Sequence, residues 1–308
     1  MLTKKKLKKA KVGYLVNVRS RHPSHLWLKQ NAGRLPFKSI VRLGSTTEIG
    51  DEVSLGGDRI ECNTVASVLN SSNKLLMKKC FDNYNVNTAA WFTIDPVTAL
   101  LKVNDNSDNT LSYDQLEYPV VAKYIFGSRN RGNYLLKNEL DLLDFIEANI
   151  ENISSYIFEK YYSYNREYRI HMAKIGNVYQ CIYTCRKVLK NDTPEDQRWF
   201  RNDSNSAWYV EDNPAFDKPI NWDDIIKQCG IALASLGLDI GAFDVRVQSA
   251  GDKDGNLRVD PKYIIIESNS AASHGDITRQ KYKDYLPLIL FCKYNDLNNL
   301  KNGINNIN

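Results

Sequence analysis

Two apolar runs late in the chain, Gly241-Ala-Phe-Asp-Val-Arg-Val and Tyr263-Ile-Ile-Ile-Glu-Ser-Asn, carry acidic residues inside β-branched sequence. Between them lies the turn-forming Ala250-Gly-Asp-Lys-Asp-Gly-Asn. Such runs read as strands and such a connection as a reversal, so the stretch predicts an antiparallel hairpin. Folding it about the centre of the Asp252 to Asn256 turn sets Asp244 roughly opposite Glu267. The period of two along a strand then puts Glu267 and Asn269 on one face and Ile266 on the other. Two opposed carboxylates repel, an arrangement that makes sense with a divalent cation between them. The donors are hard oxygens with no Cys or His nearby, which suits Mg²⁺ or Mn²⁺ better than Zn²⁺. A solvated sheet face beside a loop is the other reading of the hairpin taken alone.

The bulk numbers set the frame. At 308 residues, 43% hydrophobic and 25% charged, the chain is globular material long enough for two or three sub-domains. No apolar run approaches the length that spans a bilayer and no signal-like segment opens the chain, so a cytoplasmic protein is expected. Cys62, Cys80, Cys181, Cys185, Cys229 and Cys292 form no Cys-x-x-Cys pair, and with His22, His25, His171 and His274 they complete no zinc spacing. Free thiols follow, with Cys181 and Cys185 sharing one strand face as packing residues. The formal charge of +5 is local: six Lys between Lys4 and Lys11 leave the rest of the chain at −1. That run reads as a solvated, flexible tail in preference to a nucleic-acid contact.

The order of elements points to an α/β chain with α+β sub-domains. Strands over 12–18 and 39–45 flank a polar segment holding His22 and His25. A helix begins with the cap residues Ser71 and Ser72 and carries Lys74 in its first turn, where the helix dipole disfavours a cation unless an anion is near. The block from Tyr118 to Leu136 reads as a strand bearing Lys123, a loop holding Gly127, Ser128, Arg129 and Gly132, and a second strand. Glycines at such a tip let backbone N–H groups approach a phosphate. Helix 137–149 follows with Leu140, Leu143, Phe145, Ile146 and Ala148 as its apolar positions. The strands over 155–189 carry Glu159, Glu167, Arg169 and Arg186. Residues 190–219 read as a long loop, a helix is expected over 222–236, and a last helix over about 278–297.

Taken in order, these pieces resemble the ATP-grasp superfamily of carboxylate–amine ligases, which includes D-alanine–D-alanine ligase and the ribosomal-protein glutamate ligases. The resemblance runs from about Ser71 to Gly275. Asn73-Lys74 looks like the family's Asp-Lys helix start, and Pro-Val-Val-Ala-Lys123 with Gly127 to Gly132 like its phosphate loop. Glu159-Lys-Tyr-Tyr162 and Glu167-Tyr-Arg169 resemble its nucleotide hinge and ribose strand. Arg186 with Phe200-Arg201-Asn202 is similar to elements of the glutamate ligases, and Asp244 with Glu267-Ser-Asn269 to the metal ligands. The chain departs from the family at Ser270-Ala-Ala-Ser-His274-Gly, where many members have Pro-Gly.

The resemblance implies an ATP-grasp fold holding nucleotide between two sheet sub-domains. A basic tail over 1–11 and an N-terminal α/β unit over 12–72 precede them, with a lid over 73–158 and a metal-bearing unit over 159–300. It implies ATP with Mg²⁺ or Mn²⁺, small-molecule or peptide carboxylate and amine substrates, and an acyl-phosphate intermediate. Lys74, Lys123, Gly127, Ser128, Arg129 and Gly132 would meet phosphates. Glu159, Lys160, Tyr162 and Glu167 would meet adenosine. Arg186, Arg169, Arg201 and Asn202 would attend the transferring phosphoryl group. A kinase on the same scaffold and a non-catalytic nucleotide- or nucleic-acid-binding module are the alternatives.

Overall fold

The computed structural model describes residues 12–18, 23–57, 59–127, 131–271 and 275–305. The lysine tail, His22, Ser128, Arg129 and His274 therefore lie outside the described residues. Three larger sheets organise the rest, beside a two-stranded one of Val12–Gly13 and Arg34–Leu35.

The first is parallel, with Ser39–Leu43 between Leu15–Val18 and Ile60–Cys62. Every residue of Ser39–Leu43 is buried, as expected of a parallel strand covered on both faces. That burial includes Arg42, whose charge is met by Glu52 and Glu61. Beyond this sheet, Asn63 ties the N-terminal unit to the hairpin. Its side-chain oxygen accepts the Asp239 and Ile240 N–H groups at 2.8 and 3.1 Å, and its amide donates to the Arg42 and Ile240 carbonyls. Its φ of 58° is left-handed, a region Asn tolerates better than other non-glycine residues.

The helix expected from Ser71 is two helices, Val65–Ser72 and Lys74–Asn83. Asn73 breaks the run with extended dihedrals and restarts it by accepting the Leu76 N–H at 3.1 Å. Ser71 and Ser72 belong to the last turn of the first helix.

The second sheet is antiparallel and runs, in space, Asn133–Leu136, Val120–Tyr124, Tyr156–Lys160, Trp91–Ile94, Leu101–Val103 and Thr110–Leu111. Helix Glu139–Asn149 packs Leu142, Phe145 and Ile146 onto it. Leu140 and Leu143, expected on the apolar face, are exposed, because the i, i+3, i+4 stripe starts at Leu142.

The third sheet orders Ser206–Val210, Val178–Leu189, Arg166–Ile175, Ile240–Val247 and Tyr263–Asn269, all antiparallel. Helix Trp222–Ser235 covers one face with Ile225, Cys229, Ala232 and Leu233, and Gly237 at φ 69° ends the turn after it. The expected 190–219 loop contributes Ser206–Val210 to the sheet edge, a short Trp- and Tyr-bearing strand between polar turns. The last helix is longer than expected, Asp276–Asn305, and joins the first and third sheets through Tyr282, Leu286, Ile289 and Leu290. Among the described residues no helix is long and apolar enough to cross a membrane.

Replacing Asn63 with Ala strands two buried N–H groups and two carbonyls. The variant is expected to lose about 3 kcal/mol or more of stability, seen as a lower urea midpoint at unchanged slope. An unchanged midpoint would show that this junction carries no load.

Candidate active site

A cleft of about 1110 Å³ opens between the second and third sheets and reaches His25 and Gly44 of the N-terminal unit. Eight cationic side chains line it against five carboxylates, an excess of three positive charges among the described residues. Such a cleft favours a polyanion.

The hairpin forms one wall. Asp244 pairs with Glu267 and Ala242 with Asn269, but the register shifts between Asp244 and Val245. The extra residue is Ile266. A bulge lets two successive side chains share a face, so Ile266 lines the cleft beside Glu267 in place of pointing away as strict alternation requires. Ile265 enters the core instead. A second register shift, at His171/Met172, leaves Ile182 unpaired between Cys181 and Tyr183. Cys181 therefore packs against the helix-covered core while Cys185 lines the cleft, and the two do not share a face.

The opposed carboxylates are compensated by fixed cations. Arg169 donates Nε and Nη2 to the two oxygens of Asp244 at 2.7 and 2.8 Å, and Lys187 donates to Asp244 Oδ2 at 2.7 Å. Lys187 also donates to Glu167 at 2.8 Å, and Arg246 reaches the same carboxylate at 3.0 Å. Burial would raise both carboxylates, but these cations outweigh it and hold Asp244 and Glu167 well below the usual range. Trp208 lies over Arg169 and Lys187, with its ring centroid 5.0 and 5.1 Å from their charged groups.

Lys187 is a cleft cation that the sequence reading missed. Arg186, assigned to the phosphoryl group, faces the other side of the sheet, where it donates to the Ala215 carbonyl at 2.7 Å and pairs with Asp217 at 3.3 Å. Its neighbour occupies the inward position because Lys187 is in register with Glu167. That pairing of opposite charges across two strands was the available signal. Arg201 does reach the cleft; Nη2 donates to the Asn165 carbonyl at 2.6 Å, while its buried Nε has no partner. Asn202, also at the cleft, uses its side-chain oxygen to order the loop through the Ser204 and Asn205 N–H groups.

The opposite wall comes from the second sheet and its connections. Lys123 pairs with Glu159 at 2.7 Å. Glu159 is thus committed to cations, which leaves the cleft edge to Lys160, Tyr161 and Tyr162. Lys74 donates to the Gly127 carbonyl and lies 3.9 Å from Glu267. Burial pushes Lys74 down and Glu267 pulls it back up. Gly127 is required: a Cβ there would lie 2.5 Å from the Arg131 carbonyl oxygen. Gly132, at φ 73°, shapes the hairpin tip without lining the cleft.

A magnesium site is implied by the resemblance, and the donors can be tested against it. Among the described residues no three His, Cys, Asp or Glu side chains cluster as a metal cage. Glu267 is only partly covered and weakly paired, and the buried amide nitrogen of Asn269 has no partner, an orphan that turning the amide would replace with an oxygen. Both Asp244 oxygens already accept hydrogen bonds and could join only through remaining lone pairs. Magnesium takes one or two protein carboxylates and completes its shell with phosphate and water, so Glu267 and Asn269 fit it.

No known family and no curated protein matches the chain by sequence. Solved structures match by shape. They include the D-alanine–D-alanine ligase of Bacillus anthracis, at 14% identity and TM-score 0.57 over 92% of this chain and 97% of that one. The same enzyme solved with ATP matches at TM-score 0.57 and 14% identity over 92% and 96%. N5-carboxyaminoimidazole synthetase of Staphylococcus aureus complexed with ADP matches at 11% identity and TM-score 0.60, over 92% and 78%. The chain therefore has the fold of the ATP-grasp carboxylate–amine ligases.

The carboxylate network sets an acid limit. Glu167 and Asp244 titrate lower folded than their ordinary values of 4.5 and 3.8, so the unfolded chain binds more protons over that interval. Their contribution is fully present above about pH 4.5 and is lost as pH falls toward about 2, the value to which Glu167 is held. Urea midpoints measured down this range should drop steeply for the wild type and less steeply for Glu167→Gln. A flat wild-type profile would contradict the network.

Proposed function

We propose that the chain is an ATP-dependent ligase that joins a carboxylate to an amine through an acyl phosphate, releasing ADP and phosphate. The observation that carries this reading is the convergence in one cleft of excess positive charge, a Gly127-supported loop and the Glu267/Asn269 donors, on a fold shared with ligases solved with ATP and ADP.

Each residue has a physical task in the scheme. Lys74 and Lys123 would neutralise the phosphates, and the loop around Gly127 would cover them and exclude water from a hydrolysable intermediate. Val121, Ile264 and Ile266 offer apolar surface to a base beside the Lys160–Tyr162 edge. Arg201, with its unpartnered Nε, would stabilise charge as the substrate carboxylate attacks the γ-phosphorus and ADP leaves. Lys187 and Arg169 would hold Asp244 ionised and oriented. The amine then attacks the acyl carbon and inorganic phosphate departs, its proton passing to solvent. When bound by Glu267 and Asn269, magnesium supplies neutralisation of the triphosphate charge.

An ADP-release screen over amino acids, peptides and small carboxylates, with mass analysis of products, tests the reading. Free phosphate with a new amide supports a ligase, whereas phosphate retained on a hydroxyl acceptor would make the protein a kinase. Glu267→Ala and Lys123→Ala are each expected to abolish ADP release while keeping the wild-type circular dichroism spectrum. Wild-type turnover by either variant would refute the assignment. A non-hydrolysable ATP analogue with Mg²⁺ should stabilise the fold by about 2.7 kcal/mol at a hundredfold excess over its Kd. An unmoved melting temperature at saturation would count against nucleotide binding.

A further inference from the structure

Glu159 is shared by two lysines, and only one of them reaches the cleft. Lys123 donates to Oε2 at 2.7 Å from the wall. Lys78 lies 3.3 Å from Oε1 and is fully buried. Lys78 also donates to Thr88 Oγ1 at 2.7 Å and to the Ala89 carbonyl at 3.0 Å. Thr88 in turn donates to the Ile265 carbonyl at 2.7 Å, in the strand that carries Glu267. One ammonium thus joins its own helix, the connector over 84–90, the hairpin wall and the lid strand Tyr156–Lys160. Two of its donors are held in hydrogen bonds, its charge is paired with Glu159, and the side chain does not line the cleft.

A fully buried lysine is costly unless it is paired and hydrogen-bonded, as Lys78 is. Lys74, four residues earlier on the same helix and also buried, faces Glu267 instead. We propose that Lys78 is a positioning residue: it shares Glu159 with Lys123, so that Lys123 is aimed at the phosphates without being neutralised by the carboxylate. This rests on the nucleotide reading of the cleft. With Lys78 charged, Glu159 divides its attraction. With Lys78 neutral or absent, the whole carboxylate charge falls on Lys123, and a bound phosphate competes with it.

The same geometry gives a pH dependence. The charged groups facing Lys78 are Glu159 from the lid strand, Lys123 from the strand beside it, and Asp82 from its own helix. The connector offers only Thr88 and a carbonyl. Burial pushes Lys78 down to about 8, partly offset by Glu159. Affinity for a triphosphate should therefore fall as pH rises through about 8.

The test measures binding of a non-hydrolysable ATP analogue with Mg²⁺, and separately of adenosine, to the full chain across that pH range. The wild type should show the alkaline fall for the analogue alone. Lys78→Met should bind the analogue on the order of tenfold more weakly at neutral pH, the factor that corresponds to one pH unit of linkage. It should keep the wild-type affinity for adenosine and lose the alkaline fall. If that variant does not fold, Lys78→Met with Glu159→Gln removes both buried charges and should also lack the fall. Retention of the wild-type alkaline profile by either variant overturns the proposal, as does equal weakening toward adenosine and the analogue, which marks a purely structural role. A wild type that binds no analogue at any pH overturns the nucleotide reading and this proposal together. A wild type that binds without an alkaline fall overturns this proposal alone.

Discussion

The fold is arranged around one electrostatic problem: an antiparallel register that sets Asp244 against Glu267 across neighbouring strands. Two carboxylates at that spacing would weaken the sheet unless positive charge were supplied. The protein supplies it from the adjoining strands, with Arg169 bidentate on Asp244 and Lys187 shared between Asp244 and Glu167. Among the described residues Glu267, facing the cleft, has its one ion pair with the distant Lys74. Compensation is thus asymmetric, so one acid is locked and the other remains open. That asymmetry makes the wall a place where a cation and a polyanion can be received.

The second sheet repeats the device in mirror form. There a buried carboxylate, Glu159, serves two lysines, whereas in the third sheet a lysine serves two carboxylates. Both arrangements fix side chains by charge-assisted hydrogen bonds inside low-dielectric surroundings, where such bonds are strong and removal of one partner is costly. Aromatic cover from Trp208 restrains the cations of the third sheet. The walls of the cleft are therefore preorganised by ion pairing, and the excess positive charge is what remains for a ligand.

Much of this was legible in the sequence because it depends on local rules. The turn centre at Asp252 to Asn256 sufficed to put Asp244 opposite Glu267, and the stripe from Ile225 to Leu236 marked the covering helix. What escaped was anything that a strict period of two misplaces. The bulge beside Asp244 turned Ile266 toward the cleft, and the irregularity at His171 separated Cys181 from Cys185. Resemblance favoured Arg186, whereas cross-strand register gives the inward position to Lys187. Lys78 was equally invisible, since its partners lie in the connector over 84–90 and in the strand Tyr156–Lys160, and no local pattern announces a buried cation. Bulges gather where sheets re-aim side chains, and both irregularities adjoin cleft residues, at Asp244 and His171.

In the proposed function the Glu267 wall and the Lys74/Lys123 wall together grip a metal-bound triphosphate. Anomalous X-ray scattering from crystals grown with Mn²⁺ and a non-hydrolysable ATP analogue tests it most directly. A manganese peak is expected within bonding distance of Glu267 and Asn269, with the phosphate chain running toward Lys123. Manganese and nucleotide bound elsewhere, or an analogue in the cleft with Glu267 still turned to Lys74 and no metal beside it, would contradict the account.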